Sequence, residues 1–316
     1  MEDDKNLADN DNGAAAPGTR CGFVAIIGAP NAGKSTLVNT LVGAKVSIVT
    51  HKVQTTRNLI RGIVMEGASQ IILVDTPGIF APKRRLDRAM VHAAWGGAQD
   101  ADLVVFIMDA QKGLDENAER ILTKLAGVRQ PRLLVLNKID RVPKEKLLFL
   151  AQAVNERLAF AQTFMISALN GSGVKAFKSH LATAVMPGPW LYPEDDITDA
   201  PMRSLAAEIT REKMLQRLHQ ELPYHSTAET TDWQERKDGS VRIEQTIYVE
   251  RESQRQIVLG KGGQTIKSIS MESRLELAAI LERPVHLFLF VKVRASWSDD
   301  PERYREMGLE FPKDEG

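Results

Sequence analysis

Among 316 residues there is one cysteine, Cys21, which excludes an intrachain disulfide and a cysteine-ligated metal cluster. Thiol scarcity of this kind fits a reducing cytosol. The six histidines (His51, His92, His180, His219, His225, His286) show no ligand spacing and read as structural. No apolar run approaches the ~20 residues needed to cross a bilayer. The first twenty residues, MEDDKNLADNDNGAAAPGTR, lack the apolar stretch of a signal peptide and have the wrong charge sign for a mitochondrial transit sequence. A disordered acidic tail over 1–20 is expected instead. Net charge is zero, so any nucleic-acid contact must come from a local patch. What is present is ordinary for a soluble globular protein: 43% hydrophobic and 26% charged residues, with length for about two domains.

From 22 to 186 short apolar runs alternate with amphipathic ones. GFVAIIG, NLIRGIVM, QIILVD, DLVVFIMD, RLLVLNK and QTFMIS read as strands, and 34–42, 86–98, 115–126, 144–159 and 173–185 as helices. Several strands are nearly continuous in Val, Ile and Leu, as parallel strands covered on both faces are. NLIRGIVMEGASQIILVD differs, since two runs around a short Gly-containing turn make an antiparallel hairpin. The pattern predicts a doubly wound α/β domain over 21–186 with one antiparallel edge. PGPWLYPEDDITDAP, residues 187–201, breaks regular structure and reads as a flexible linker. Beyond it, over 202–316, the order becomes α-β-β-α-α-β: a helix at 202–221, two strands around Asp238-Gly239, the helix ESQRQIVL, a longer helix to about Glu282, and VHLFLFVKV as a buried strand. Trp233 and Trp297 are expected in cores.

GAPNAGKS, 28–35, lies between a strand and a helix and fits G-x-x-x-x-G-K-[ST]. Gly28 and Gly33 let the backbone curl so that the N–H groups along Ala29, Pro30, Asn31, Ala32 and onward to Thr36 surround a polyphosphate, proline excepted. Lys34 supplies a cation to the β- and γ-phosphates, Ser35 a hydroxyl to Mg²⁺, and the helix its positive end. NKID, 137–140, follows a buried strand and selects the base. Asp140 can accept both donors on the edge of guanine, whereas adenine sets an acceptor against the carboxylate. Asn137 braces this loop and the Lys138 stem covers the base. Ser167, Ala168 and Leu169 in SALNG follow the last strand and can add a backbone N–H to the guanine oxygen. DTPG, 75–78, follows another strand. There Asp75 holds Mg²⁺ through water, Thr76 and Pro77 form the turn, and the Gly78 N–H meets the γ-phosphate, pivoting when it leaves. Upstream, KVSIVTHKVQTTRN has the character of a switch segment. Thr55 or Thr56 completes the Mg²⁺ shell; Thr56 is favoured, and spacing does not separate the two.

In the second domain GKGG, 260–263, joins two helices and matches the GXXG loop of a KH domain of type II, which clamps about four nucleotides of single-stranded RNA. Gly260, Gly262 and Gly263 permit close approach, Lys261 and Lys267 meet phosphate, and Arg251 and Arg255 extend the patch. Ile257, Val258, Leu259, Ile266 and Ile269 are expected to floor the groove.

GAPNAGKS, QTTR, DTPG and NKID in this order resemble the translation-factor-related class of GTPases and, within it, the Era family; HST and WSDD in the second domain match as well. The resemblance covers nearly all of the chain after the acidic tail. It implies a P-loop GTPase domain followed by a KH domain, and a GTP/GDP switch with Mg²⁺ and slow intrinsic hydrolysis. It also implies the 3′ end of small-subunit (16S) ribosomal RNA as ligand, a role in 30S subunit assembly, and a monomer in the cytoplasm. Weak peripheral association with the inner membrane is also attributed to the family, and no segment here supports it. Ile79 stands where many GTPases place a water-orienting glutamine. Related GTPases with an asparagine in the P-loop bind K⁺, and Asn31 is the matching residue. Lys34, Thr56, Gly78 and Asn31 are thus the groups expected to serve hydrolysis. Two other functions fit parts of the pattern: a signalling GTPase whose second domain binds a protein, and an ATP-using P-loop enzyme, for which Asp140→Asn would leave nucleotide choice unaltered.

Overall fold

The computed structural model describes residues 18–219, 222–295, 297 and 300–312. Up to residue 17 the expected tail lies outside the described residues, and Arg20 already begins a strand. The first sheet has six strands: β1 (Arg20–Ile27), β2 (Ile60–Glu66), β3 (Ser69–Asp75), β4 (Leu103–Asp109), β5 (Arg132–Asn137) and β6 (Gln162–Met165), in the order β2-β3-β1-β4-β5-β6. All neighbours are parallel except β2 and β3, the expected antiparallel edge. Helices α1 (Lys34–Val42) and α5 (Val174–Ala184) cover one face, burying Leu37, Leu41, Phe177 and Leu181. On the other face, α2 (Arg85–Asp100), α3 (Glu116–Leu125) and α4 (Lys144–Arg157) bury Trp95, Ile121, Leu125 and Val154. Cover on both faces is why β3 and β4 are buried along their whole length. It also leaves the carboxyl ends of β1, β3 and β5 as the place where loops can gather around a ligand.

The second unit contains α6 (Met202–Arg217), β7 (Ser226–Glu235), β8 (Val241–Val249), α7 (Glu252–Leu259), α8 (Gln264–Leu281), β9 (Val285–Val293) and α9 (Pro301–Glu306). Its sheet runs β7-β8-β9, antiparallel and then parallel. Three expectations need correcting. The first of its helices stops at Arg217 rather than 221, because Leu218 turns extended (φ −86, ψ 148), and 220–221 lie outside the described residues. Strand β9 is not buried on both faces: it is an edge strand with helices on one side, so His286, Phe288, Phe290 and Lys292 are exposed. Val258 and Ile269 are fully buried in the core rather than flooring a groove, while Ile257 is 56% exposed.

The segment 187–201 does not hang free. Pro187 bridges Arg20, Thr198 bridges Gly62, and Ile63 N–H donates to Ile197 O at 2.9 Å. The Gln70 side chain accepts from the N–H groups of Leu191 and Tyr192 at 2.8 and 3.0 Å. An edge strand offers unpaired backbone groups, and this segment takes them up. No helix of the described residues is long and apolar enough to cross a membrane.

Candidate nucleotide-binding site

The loop between β1 and α1 is shaped by steric necessity. A Cβ on Gly28 would lie 2.4 Å from Ile107 O, and one on Gly33 2.2 Å from Asn137 Nδ2. Gly33 also has φ 101, in the left-handed region, and no side chain caps α1 after it. The first N–H groups of that helix therefore remain available to an anion. Lys34 is buried, its Nζ donating to Gly28 O at 3.2 Å and Ala29 O at 3.1 Å. Burial pushes its pKa down to about 8, against the opposing pull of Asp75.

Asp75, at the end of β3, gathers three hydroxyls. Ser35 Oγ and Ser47 Oγ donate to its Oδ2 at 2.6 and 2.7 Å, and Thr56 Oγ1 lies 2.9 Å from Ser35 Oγ. The other carboxylate oxygen, Oδ1, is buried without a hydrogen-bond partner among the described residues. Burial raises the Asp75 pKa, and the Ser35 hydroxyl and Lys34 offset part of that rise. Hydroxyl and carboxylate oxygens around one unpaired buried acceptor are the donor set of a hard divalent cation, so these residues fit Mg²⁺. Thr55 faces elsewhere, its hydroxyl on Lys52 O and Thr50 Oγ1, both at 2.7 Å. Sequence reasoning missed Ser47, which the Asn39 side chain holds through its N–H and carbonyl at 3.0 and 2.7 Å.

The DTPG turn abuts the phosphate loop, since a Cβ on Gly78 would lie 2.9 Å from Pro30 Cα. Thr76 Oγ1 donates to Ile26 O at 2.8 Å. Ile79 is buried in the apolar layer beside α2, and its N–H donates to Gly28 O at 3.0 Å. Asn31 (φ 63) donates from Nδ2 to His51 O of the switch segment at 2.8 Å.

At the base end Asn137 braces two loops: its Nδ2 donates to Ala32 O and its Oδ1 accepts the Ala168 N–H, both at 2.9 Å. Of the SALNG N–H groups expected to serve a guanine oxygen, that of Ala168 is thus engaged by Asn137. Ser167 N–H likewise goes to Ser172 O at 2.9 Å. The Ser167 hydroxyl instead serves Asp140, holding its carboxyl below the usual range as the largest of several causes. Lys138 (φ 65) reaches Asn31 O at 2.8 Å and Asp109 Oδ2 at 2.7 Å, a link that reading motifs singly does not give. Phosphate loop, switch segment, NKID and SALNG meet around one cleft of about 380 Å³, with exposed Leu169 at its rim.

Far from that cleft, GKGG turns between α7 and α8. Gly260 has φ 74, and a Cβ there would lie 2.2 Å from Thr265 Oγ1. Gly262 (φ 59) and Gly263 (φ 76) face open space, and no side chain caps α8 after Gly263. Arg251, Lys261 and Lys267 are exposed. Arg255 is half tied down, on Val291 O at 3.3 Å and Glu252 at 2.8 Å.

Residues 23–138 match the family described as 50S ribosome-binding GTPase, and 221–298 match the KH domain. GTPase Era of Bradyrhizobium diazoefficiens is 70% identical over 303 residues, spanning 96% of this chain and 98% of that protein. The chain belongs to the GTPase Era family. Era of Brucella suis is 68% identical over 93% of this chain and 94% of its own, and that of Rhizobium meliloti 64% over 99% and 100%. Among solved structures, Era in complex with MgGDPNP and nucleotides 1506–1542 of 16S ribosomal RNA gives a TM-score of 0.87 at 37% identity, covering 92% of this chain and 99% of that one. An Aquifex aeolicus Era variant bound to GDP·AlF4⁻ gives the same values. As a member of the Era family the chain is a GTPase, with a P-loop GTPase domain followed by a KH domain.

Proposed function

We propose that this GTPase is a switch that binds the 3′ end of small-subunit ribosomal RNA through its KH domain and acts in 30S subunit assembly, as a monomer in the cytoplasm. The observation that carries the reading is the likeness to Era solved with that RNA and a GTP analogue, which extends over 92% of this chain. The domains of this reading are a GTPase domain at 21–186, a connecting segment at 187–201 and a KH domain at 202–316.

Each residue has a role in it. Asp140, oriented by Ser167, accepts the two donors of guanine, and Asn137 fixes the loop that presents it. Lys34 and the N–H groups at the start of α1 hold the phosphates, and the Gly78 N–H meets the γ-phosphate. Ser35, Thr56 and Asp75 hold Mg²⁺ in its own shell or through water. When bound, that ion offsets charge on the β- and γ-phosphate oxygens. In this reading Asn31 shares a monovalent cation, K⁺, with the switch segment, whose His51 O its side chain meets. At the other end Lys261 and Lys267 meet RNA phosphates, with Arg251 and Arg255 beside them.

The test is crosslinking in cells followed by sequencing of the bound RNA, for the natural chain and for Lys261→Glu combined with Gly262→Asp. A side chain at Gly262 meets open space, and φ 59 there is a left-handed conformation that Asp adopts at lower cost than most residues. Recovery of the 16S 3′ end, lost in the variant while GTP affinity stays, supports the proposal. Unchanged RNA capture by the variant, or capture of a protein and no RNA, contradicts it. Fractionation of the same cells checks the cytoplasm against attachment to the inner membrane.

A further inference from the structure

Residues 44–59, between α1 and β2, form no helix or strand, yet they deliver Thr56 to Ser35 and Asp75. Ordering an irregular segment of that length is entropically costly, so its anchors decide where Thr56 sits. Several anchors come from the second domain. Helix α6 presents two adjacent buried side chains, Arg211 and Glu212, 1% and 3% exposed. Arg211 Nη2 donates to Thr55 O, the carbonyl of the peptide that joins Thr55 to Thr56. Its guanidinium is in turn set by Glu208, with Nε to Oε1 at 2.8 Å. Glu212 accepts the Val49 N–H at 2.8 Å and pairs with Lys45 at 2.7 Å. One residue past Thr56, Arg57 extends its guanidinium to Ser226 O at 3.1 Å and Pro223 O at 3.3 Å. Lys52 Nζ reaches Leu218 O. The segment is thus held by second-domain atoms on both sides of Thr56, through its backbone before it and through the Arg57 side chain after it.

We propose that Arg211, seconded by Glu212, is a positioning residue for GTP hydrolysis: the second domain acts in cis to hold the switch backbone at Thr55 so that Thr56 stays at the metal and γ-phosphate end of the cleft. The inference rests on the role given to Thr56 above. Thr56 serves the triphosphate state, so the effect of losing Arg211 falls on GTP and spares GDP.

The experiment compares full-length wild type, Arg211→Ala and Arg211→Lys, with Arg203→Ala as control. Arg203 lies on the same helix but bonds Thr230 O and Thr231 O within its own domain, at 3.4 and 3.2 Å. Three quantities are read: kcat and KM for GTP, the ratio of GDPNP to GDP affinity with Mg²⁺, and amide exchange over residues 48–57. Removing a charged hydrogen bond of this kind predicts a fall of about tenfold or more in kcat and in the GDPNP/GDP ratio. GDP affinity and the Arg203→Ala values stay put, exchange over 48–57 quickens, and lysine restores part of the loss. Should Arg211→Ala not fold, Glu212→Ala, which removes the acceptor of the Val49 N–H, carries the same prediction. Unchanged kcat, affinity ratio and exchange in a folded variant, or an equal loss in Arg203→Ala, overturns the inference. Absence of GTP binding by the wild type would instead overturn the wider reading, so the two failures are distinguishable.

Discussion

Ile79 has neither a side chain nor a free N–H to offer a water molecule, since its N–H is spent on Gly28 O at 3.0 Å and its side chain is packed in the core. Transition-state charge on the γ-phosphate must therefore be offset by something outside the protein's own side chains at this position. Asn31 gives its Nδ2 proton to His51 O at 2.8 Å, so an amide side chain of the phosphate loop meets a carbonyl of the switch segment. Carbonyl and amide oxygens of this sort suit a weakly hydrated monovalent cation. Turnover of GTP by the Mg²⁺-loaded enzyme is expected to be at least about tenfold faster in K⁺ than in Na⁺ at equal ionic strength, less than the roughly hundredfold or more that one preorganised electrostatic contact contributes, since Na⁺ can fill part of the same role. Equal turnover in the two salts contradicts this. At the same scale lies the choice between Thr55 and Thr56. Adjacent residues in an irregular segment point in different directions, so spacing does not separate them; in the structure it is the Thr56 hydroxyl that meets Ser35, while that of Thr55 turns to Lys52 O.

Among the elements, α9 and the residues around it form a clasp that composition did not foretell. Trp297, 1% exposed, packs with Tyr304 and Leu309 against Leu86, Ala89 and Met90 of α2, and its Nε1 donates to His225 O at 3.0 Å. Arg57 of the switch segment lies over its ring at 5.6 Å. Trp297→Ala is expected to cost about 3–5 kcal/mol, the usual loss for a fully buried tryptophan. Denaturant unfolding checks it, and an unmoved midpoint contradicts it.

Elements with local punctuation were legible in the sequence. Helices 34–42 and 252–259 were placed to the residue because Gly33, Gly43 and Gly260 mark their ends, and β9 fell on 285–293 as read. What depended on packing was not. VHLFLFVKV has the apolar continuity of a strand covered twice, but its alternating burial shows that only one face is packed, which depends on where the helices lie. PERYRE, at six residues, has too few turns to show a period and gains its order from Trp297 and Tyr304. The site followed the same division. GAPNAGKS, DTPG and NKID announced their residues through spacing. Ser47, Asp109 and the destination of the Ala168 N–H are joined to the site only by the fold.

Across the whole molecule the two domains share the switch segment. Lys45, just before it, pairs with Glu212 on α6 and with Glu276 on α8, the helix that starts at the GKGG loop and carries Lys267. Burial, and then the nearby Arg211, push the Arg57 pKa down to about 9. A guanidinium keeps its proton under physiological conditions, so the shift marks a junction where like charges sit close. If the γ-phosphate shifts this junction through Thr56, nucleotide and RNA report on each other, and linkage requires the effect to be equal in both directions. The most direct measurement is the ratio of GDPNP to GDP affinity, by calorimetry with Mg²⁺, with and without an RNA carrying the 16S 3′ end. The expected result is a change in that ratio of about fivefold or more, matched by the same factor in RNA affinity between the two nucleotide states. A ratio that RNA leaves unaltered would contradict the account.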